Sequence, residues 1–252
     1  MLLLSLIFVV SCSKDNKEEI YPTIADVWLN PTEDYYLLVE HAQDYSSKYE
    51  ALYLEVISKE PCFGLELNNQ AIGITDSSYN PSLGYYNQEC SSGNLQWEIL
   101  NSSDGKLHYT LFFADKNISG SLTVPAQYQF VIDEFDQEQD FAMAWQLAPN
   151  PDFQSYRFEV SDLAGHSIWD SRNISGNVRS LTWKKELWAD YGILQRFELE
   201  LAANNYKYID DGLVWIIRSR EYNLSLLDKR NSHRPFERLN RLLQGEITLP
   251  HK

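Results

Sequence analysis

Apolar and polar residues alternate in short runs along most of the chain after residue 20. Alternation with a period of two is typical of half-buried strands, particularly where Asn, Gly, Ser or Pro bound the run. Asp104-Gly105 between two such runs is a strong hairpin signal. In the first half of the chain, the pattern predicts strands at residues 35–39, 49–57, 63–67, 95–100, 107–113 and 119–124.

These strands fall within residues 23–124, and their number and spacing predict one β-sandwich domain there. Aromatic residues make up 13 % of the chain, and they favour the pleated, half-buried surface of a sheet. An all-β fold is therefore predicted. The alternative use of so many aromatic residues is a binding face with exposed rings.

The second half of the chain continues the pattern. A strand is predicted at residues 128–132, shortly after Pro125, and an acidic turn follows at 133–140. We therefore place a second domain at residues 125–226 and a basic extension at residues 227–252.

Two segments of this second domain resemble a fibronectin type III domain. Trp145 is followed eleven residues later by Tyr156–Val160, across a Pro-rich turn, and this resembles the second and third strands of that family. Phe197–Asn204 resembles the sixth strand, with Phe197 in place of the family's corner tyrosine. The resemblance implies that residues 125–226 form a second β-sandwich, closed by a strand at 213–217.

The carboxyl-terminal extension has the pattern of one short helix at residues 232–245. Pro235 stands near its start and Gly245 just after its end, and its apolar side chains share one face. Between residues 218 and 241, seven basic residues stand against three acidic ones. One interpretation is a docking strip for an acidic partner or anionic head groups, and the other is a basic strip packed on the protein's own acidic body. The candidate docking residues are Lys229, Arg230, Arg234, Arg238 and Arg241.

The first eleven residues are apolar apart from two serines, and this length suits the core of a secretory signal rather than a membrane span. Val9-Val10-Ser11-Cys12 resembles the lipobox of bacterial lipoproteins. The resemblance implies a signal peptide at residues 1–11, cleavage before Cys12, diacylglycerol on its thiol and acylation of the new amino terminus. Several acyl chains give stable membrane anchoring. The alternative is a chance apolar amino terminus with a buried cysteine.

Composition changes directly after Cys12. Residues 13–19 are polar and charged, so residues 12–22 are predicted to form a lipidated, solvated tether. Ser13 does not resemble the aspartate that retains lipoproteins at an inner membrane, which implies the outer membrane, at its periplasmic or cell-surface face. The net charge of −15 disfavours nucleic acid as a partner.

Cys62 and Cys90 are the other two cysteines. Disulfides persist outside the cytoplasm, so an exported chain is predicted to join them. A bridge across a loop of about 29 residues stabilises a fold by roughly 3 to 4 kcal/mol. The alternative is two separate buried thiols.

The common catalytic and nucleotide-binding motifs are missing from the sequence, and we predict that the chain is not an enzyme and uses no cofactor or metal. Asp136, Glu138 and Asp140 alternate and offer oxygen ligands that suit Ca²⁺. Their spacing lacks the Gly and terminal Glu of the helix-loop-helix calcium loop, and a solvated turn between strands is the simpler interpretation. No motif links a histidine to Ser or Cys. The five histidines stand apart from one another: His41, His108, His166, His233 and His251.

Residues 77–89 are expected to form a long loop rich in Tyr and Asn, which suits a sugar-binding platform of rings beside amides. The candidate rings are Tyr79, Tyr85 and Tyr86. By analogy with the recognition loops of type III domains, Tyr206 and Tyr208 are added to them. The alternative for 77–89 is an ordered loop that Cys90 holds in place.

The sequence therefore predicts a membrane-anchored binding or adhesion module for a glycan or protein ligand. The alternative function is a structural subunit that docks on an outer-membrane complex. A glycan binder requires exposed, coplanar rings on one rim, whereas an assembly subunit requires a large exposed apolar patch.

Overall fold

Strands make up most of the structure. The computed structural model describes residue 21 and residues 24–44, 50–91, 97–132 and 135–225. Over these ranges the chain forms one short helix, two 3-10 turns at 97–100 and 185–187, and fourteen strands. The prediction of an all-β fold is confirmed. The helix and strands are α1 (Ile24–Leu29), β1 (Tyr35–Asp44), β2 (Glu50–Ser58), β3 (Gly64–Leu67), β4 (Gln70–Asn80), β5 (Tyr85–Ser91), β6 (Lys106–Phe112), β7 (Asn117–Thr123), β8 (Gln129–Ile132), β9 (Phe141–Gln146), β10 (Phe153–Asp162), β11 (Ser167–Ser175), β12 (Ser180–Trp183), β13 (Leu194–Ile209) and β14 (Gly212–Ser225).

Two local predictions were wrong. Residues 97–100, expected in a strand, form a 3-10 turn that buries Leu100 and leaves Glu98 exposed. An apolar–polar–apolar triplet fits one such turn as well as a strand, so periodicity alone did not separate them. Residues 77–89, expected as a long loop, form most of the β4–β5 hairpin.

One eleven-stranded sheet runs through the described part of the molecule, in the order β11-β10-β13-β14-β1-β2-β5-β4-β3-β6-β7, and a three-stranded sheet has the order β12-β9-β8. Neighbouring strands pair antiparallel, except that β1 and β14 are parallel, with Tyr35 opposite Gly212. This pair joins strands from the two predicted domains. The chain passes from β7 to β8 near residue 125, where the sequence predicts the domain boundary. The eleven-stranded sheet contains strands from both sides of that boundary.

The parallel pair explains two apolar runs that do not alternate. Strand β1 begins Tyr-Tyr-Leu-Leu-Val and β14 contains Leu-Val-Trp-Ile-Ile. Leu37 and Ile216 point into a first core, whereas Leu38 and Trp215 point into a third core on the opposite face. Both faces of these strands are buried, and continuous hydrophobic runs are typical of such strands.

The first core is built from strands of the first half. Buried side chains of β1, β2, β3, β6 and β7 meet there, and Val214 and Ile216 of β14 join them. The Nδ2 atom of Asn205 on β13 donates a hydrogen bond to the Thr123 carbonyl at the end of β7, at 2.8 Å. Strands that are distant in the sheet order therefore meet across the core.

The second core is dominated by aromatic rings from both sheets. Trp145 of the three-stranded sheet and Tyr156 of β10 both belong to it. Phe197 is completely buried and packs edge-on against Phe141 at 4.7 Å and Phe158 at 5.4 Å between ring centroids. Ring packing therefore holds Phe197 in the second core without a hydroxyl group.

A polar junction separates the first and second cores on the same face of the shared sheet. Arg218 and Arg220 follow Val214 and Ile216 at alternating positions of β14. Arg218 donates to the Pro125 carbonyl at 3.2 Å, and Arg220 donates to the Tyr128 carbonyl at 2.6 Å. These bonds fasten the segment that connects β7 with β8 to the sheet.

Candidate functional site

Strand β4 changes character halfway along its length. Its first residues pair with β3 on one side, but residues 73–80 pair only with β5 among the described strands. Residues 75–80 are six consecutive exposed positions, although a strand within a sandwich normally buries every second side chain. We call residues 75–80 and their partners 85–89 the β4–β5 ribbon. Among the described residues, no strand pairs with its outer edge, and both faces of β4 are solvated there.

Local sequence produces this geometry. The β4–β5 register shifts between Ile74 and Asp76, and such a bulge bends a strand and increases its twist. At the tip, the Asn80 carbonyl accepts a hydrogen bond from the Gly84 amide at 2.8 Å, and Gly84 has a φ of 76°. Glycine adopts that backbone conformation without strain.

Hydrogen bonds of a buried side chain fix the base of the β4–β5 ribbon. Gln88 is buried, and its side-chain amide accepts from the Cys62 amide at 2.7 Å and donates to the Cys62 carbonyl at 2.9 Å. These two bonds satisfy the backbone amide and carbonyl of Cys62. The exposed part of the β4–β5 ribbon therefore extends from an ordered base.

The structure brings Tyr79 and Tyr86 together and separates Tyr85 from them. Tyr79 is 53 % exposed, and its ring lies 4.8 Å from that of Tyr86 at an interplanar angle of 45°. Tyr85 is 5 % exposed and its hydroxyl donates to the Glu33 carbonyl at 2.7 Å. Tyr85 thus belongs to the third core, and Tyr79 and Tyr86 are the rings available to a ligand.

Tyr206 and Tyr208 lie elsewhere. Their rings are 6.1 Å apart and perpendicular, and Tyr208 is 55 % exposed. Tyr208 lies opposite Leu213 on the third-core face, whereas Tyr86 shares a row with Tyr35 on the first-core face. The two tyrosine pairs are therefore on opposite faces of the sheet.

Cys62 and Cys90 are free and buried in the first core. The Cys62 thiol lies 3.1 Å from the Gly64 carbonyl. Burial raises the pKa of the Cys62 thiol and, helped by the nearby Cys62, raises that of Cys90 to about 12. The structure therefore shows two unreactive thiols in place of the bridge that the sequence predicts.

The described histidines and the acidic turn have structural partners. His108 pairs with Asp104 at 2.8 Å and His166 with Asp162 at 3.1 Å, in each case four residues apart. Asp140 pairs with Lys184 at 2.7 Å. Within the part of the chain that the structure describes, no three His, Cys, Asp or Glu side chains are arranged to hold a metal ion.

Several predicted residues lie outside the described ranges. They include Cys12, the basic extension, and the remaining two histidines. Among the helices in the described ranges, none is long and apolar enough to cross a membrane. No protein-family model matches the sequence, and no curated protein matches it.

Sequence patterns missed the exposed stretch of β4. Thr75-Asp-Ser-Ser-Tyr-Asn80 contains no aliphatic residue, so it lacked the signal of a half-buried strand. Its best signal is the Ile72-Gly-Ile74 pattern just before it, which continues into an extended segment.

Proposed function

We propose that this chain is a membrane-anchored, exported lipoprotein that acts as a non-catalytic binding module for a protein ligand. The ligand surface is the β4–β5 ribbon. The observation that carries the proposal is the six-residue stretch of β4 that is exposed on both faces and open along one edge.

The composition of the β4–β5 ribbon supports recognition. Its exposed stretch and tip read Thr-Asp-Ser-Ser-Tyr-Asn-Pro-Ser-Leu-Gly. Tyr, Ser, Gly and Asn dominate the recognition loops of antibodies, because a tyrosine ring offers a large contact area at small entropic cost and the short polar residues adapt their hydrogen bonds. The same argument applies to a ribbon with an ordered base.

The ring geometry favours a protein over a sugar. A flat sugar ring needs coplanar aromatic faces, whereas the planes of Tyr79 and Tyr86 are 45° apart. The open edge of residues 75–80 presents backbone donors and acceptors to which an extended partner segment can add as a further strand. Strand addition would supply affinity, and Tyr79 with its polar neighbours would supply selectivity.

Anchoring is proposed at Cys12 from the lipobox resemblance, with the outer membrane as location. Replacing Cys12 by Ser should move the protein from the membrane to the soluble fraction of the producing bacterium. Unchanged membrane retention of Cys12→Ser would contradict the anchor.

We propose that residues 125–226 form a fibronectin type III-like sandwich. Residues 23–124 would form another sandwich, and the eleven-stranded sheet is common to the two. Support comes from the strand order: β12-β9-β8 faces β11-β10-β13-β14 across the second core. The proposed helix at 232–245 and its basic docking residues lie outside the described residues.

Affinity purification tests the ligand surface. Full-length wild type and the double variant Tyr79→Ala, Tyr86→Ala would be compared as baits, with Tyr208→Ala as the matched control of an exposed tyrosine on the opposite face. We expect one protein that is retained by wild type and the control and lost with the double variant. Equal recovery of that protein with all three baits would overturn the proposal. Binding of the wild type to a glycan array, with no protein retained, would overturn it as well.

The identity of the retained protein separates binding from assembly. An integral outer-membrane protein recovered in fixed stoichiometry would favour the assembly subunit over the adhesion module. The β4–β5 ribbon would then be the docking element of that complex.

A further inference from the structure

Tyr21 and helix α1 lie on the face of the shared sheet that carries the third core. Tyr21 stacks on Phe153, with ring centroids 4.6 Å apart and planes 18° apart. Val27 of α1 is 2 % exposed and packs into the same core. Tyr21 and α1 therefore pack on the same face of the molecule.

Large apolar side chains remain exposed beside this core. Trp28 and Leu29 are 49 % and 65 % exposed although they follow Val27 directly, and Tyr208 is 55 % exposed. The Tyr208 ring contacts that of Tyr206, which packs against the third core. We call Trp28, Leu29 and Tyr208 the amino-terminal apolar patch.

We propose that the amino-terminal apolar patch rests on the surface of the lipid bilayer. The inference rests on the proposed anchor at Cys12. Eight residues lie between Cys12 and Tyr21, so a fully extended tether of nine residue steps spans at most about 30 Å. Tyr21 stacks on Phe153, which lies opposite Asn204 of β13, and Asn204 lies opposite Ile217 in the first half of β14. The tether therefore joins the half of the sheet in which β1 and β14 begin, and Tyr208, opposite Leu213, lies in the same half.

The chemistry of the patch fits a neutral lipid surface. Tryptophan and tyrosine have an apolar body and one polar group, which suits the boundary between acyl chains and head groups. Residues 21–30 contain a single charged residue, Asp26. The same ten residues contain no Lys or Arg, so apolar burial, and not attraction to anionic lipids, supplies the affinity of this patch.

Tryptophan quenching by brominated lipid tests this contact. The mature chain, residues 12–252, would be coupled through Cys12 to a maleimide lipid in phosphatidylcholine vesicles whose acyl chains carry bromine. The buried thiols Cys62 and Cys90 do not compete for maleimide. Chemical coupling supplies the anchor whether or not cells acylate Cys12, so failure of the anchor and failure of the patch are scored separately.

Three chains would be compared: wild type, Trp28→Phe, and Trp169→Phe as the control for an exposed tryptophan on β11. We expect quenching of the wild type and of Trp169→Phe, and loss of most of that quenching in Trp28→Phe. Absence of quenching in the wild type, or equal quenching in all three chains, would overturn the proposal.

Discussion

His41 lies in the polar junction of the shared sheet and has no exposed surface. The Nε–H of Arg218 donates to His41 Nδ1 at 3.1 Å, so protonation of that nitrogen would place two donors face to face. Burial, and secondly the charge of Arg218, lower the pKa of His41 to about 4. The folded protein therefore holds this ring neutral.

We predict that His41 makes the fold less stable as pH falls from 7 to 4. The unfolded chain takes up a proton near the ordinary histidine pKa of about 6.5, and the folded chain does so only near 4, which lowers the free energy of unfolding by roughly 3 kcal/mol across this window. Urea denaturation of wild type and His41→Gln at pH 7 and pH 4.5 measures it.

The comparison with His41→Gln is needed because buried carboxyl groups act in the opposite direction. Burial raises the pKa of Glu40, Glu55 and Glu200, so protonation of these groups favours the folded state as pH falls. The stability of wild type relative to His41→Gln should decrease towards pH 4.5. A difference that does not change with pH would show that His41 is not held neutral.

Gln154 is a completely buried amide that joins four segments of the second half. Its Oε1 accepts from the Tyr128 hydroxyl and from Trp145 Nε1, each at 2.9 Å. Its Nε2 donates to the carbonyls of Ser175 and Val178, each at 3.0 Å. Every donor and acceptor of this side chain has a partner.

Gln154→Leu should lower the free energy of unfolding by on the order of 3 kcal/mol, because a leucine of similar volume leaves these four buried groups unsatisfied. The exposed Gln146 on β9 provides the matched control, and Gln146→Leu should change the free energy of unfolding by about 0.5 kcal/mol or less. Chemical denaturation followed by tryptophan fluorescence measures both. Equal effects of the two substitutions would contradict the role of the buried amide.

At the scale of elements, the parallel pair of β1 and β14 organises the molecule. The Tyr35 ring packs over Gly212, its partner at the start of β14, and a Cβ atom on Gly212 would lie 2.1 Å from that ring. The Tyr35 hydroxyl donates to the Ile209 carbonyl at 2.9 Å. The ring is thereby fixed where only glycine leaves room for it.

Gly212→Ala should therefore lower the free energy of unfolding by about 1 to 3 kcal/mol through overpacking. Gly64→Ala on β3 is the control, since a Cβ atom there meets Phe112 at an ordinary 3.5 Å. Thermal denaturation of both variants measures the difference. A Gly212→Ala variant as stable as Gly64→Ala would show that Tyr35 moves aside freely.

The alternation of apolar and polar residues predicted the strands that have a buried face, but it missed strands that are exposed. The runs of β1 and β14 were recognised as strands, but their pairing was not, because it joins residues 35 and 212 and no local signal encodes contact over that distance. The exposed part of β4 and the edge strand β11 were missed because solvated strands carry few aliphatic residues. For the same reason, sequence located the tyrosines of the candidate site but not the open edge beside them.

At the scale of the whole molecule, the shared sheet should make the two halves unfold together. Unfolding of the second core must disrupt β13 and β14. Strand β14 also contributes Val214 and Ile216 to the first core. Cooperative unfolding follows when one element belongs to both cores.

Phe158→Ala tests this coupling. Removing this buried ring from the second core should destabilise the fold by about 3 to 5 kcal/mol. Hydrogen exchange should show amides of β6, in the first half, losing as much protection as amides of β9. Unchanged protection of β6 would show that the halves unfold independently.

The two ends of the shared sheet have different surroundings. The amino-terminal apolar patch and the tip of the β4–β5 ribbon both lie where β1 begins, and the Tyr85 hydroxyl contacts the carbonyl of Glu33 there. Strand β14 ends at Ser225, at the other end of the sheet. A protein anchored through Cys12 would therefore meet its ligand close to the membrane surface.

Photo-crosslinking in intact cells tests whether the β4–β5 ribbon is the ligand surface. The photoreactive residue p-benzoylphenylalanine would be placed at position 79 of the full-length chain and, as a control, at position 187, another exposed apolar position. We predict one discrete protein adduct from position 79 that does not form from position 187. No adduct from position 79, or the same adduct from both positions, would contradict a ligand surface on the β4–β5 ribbon.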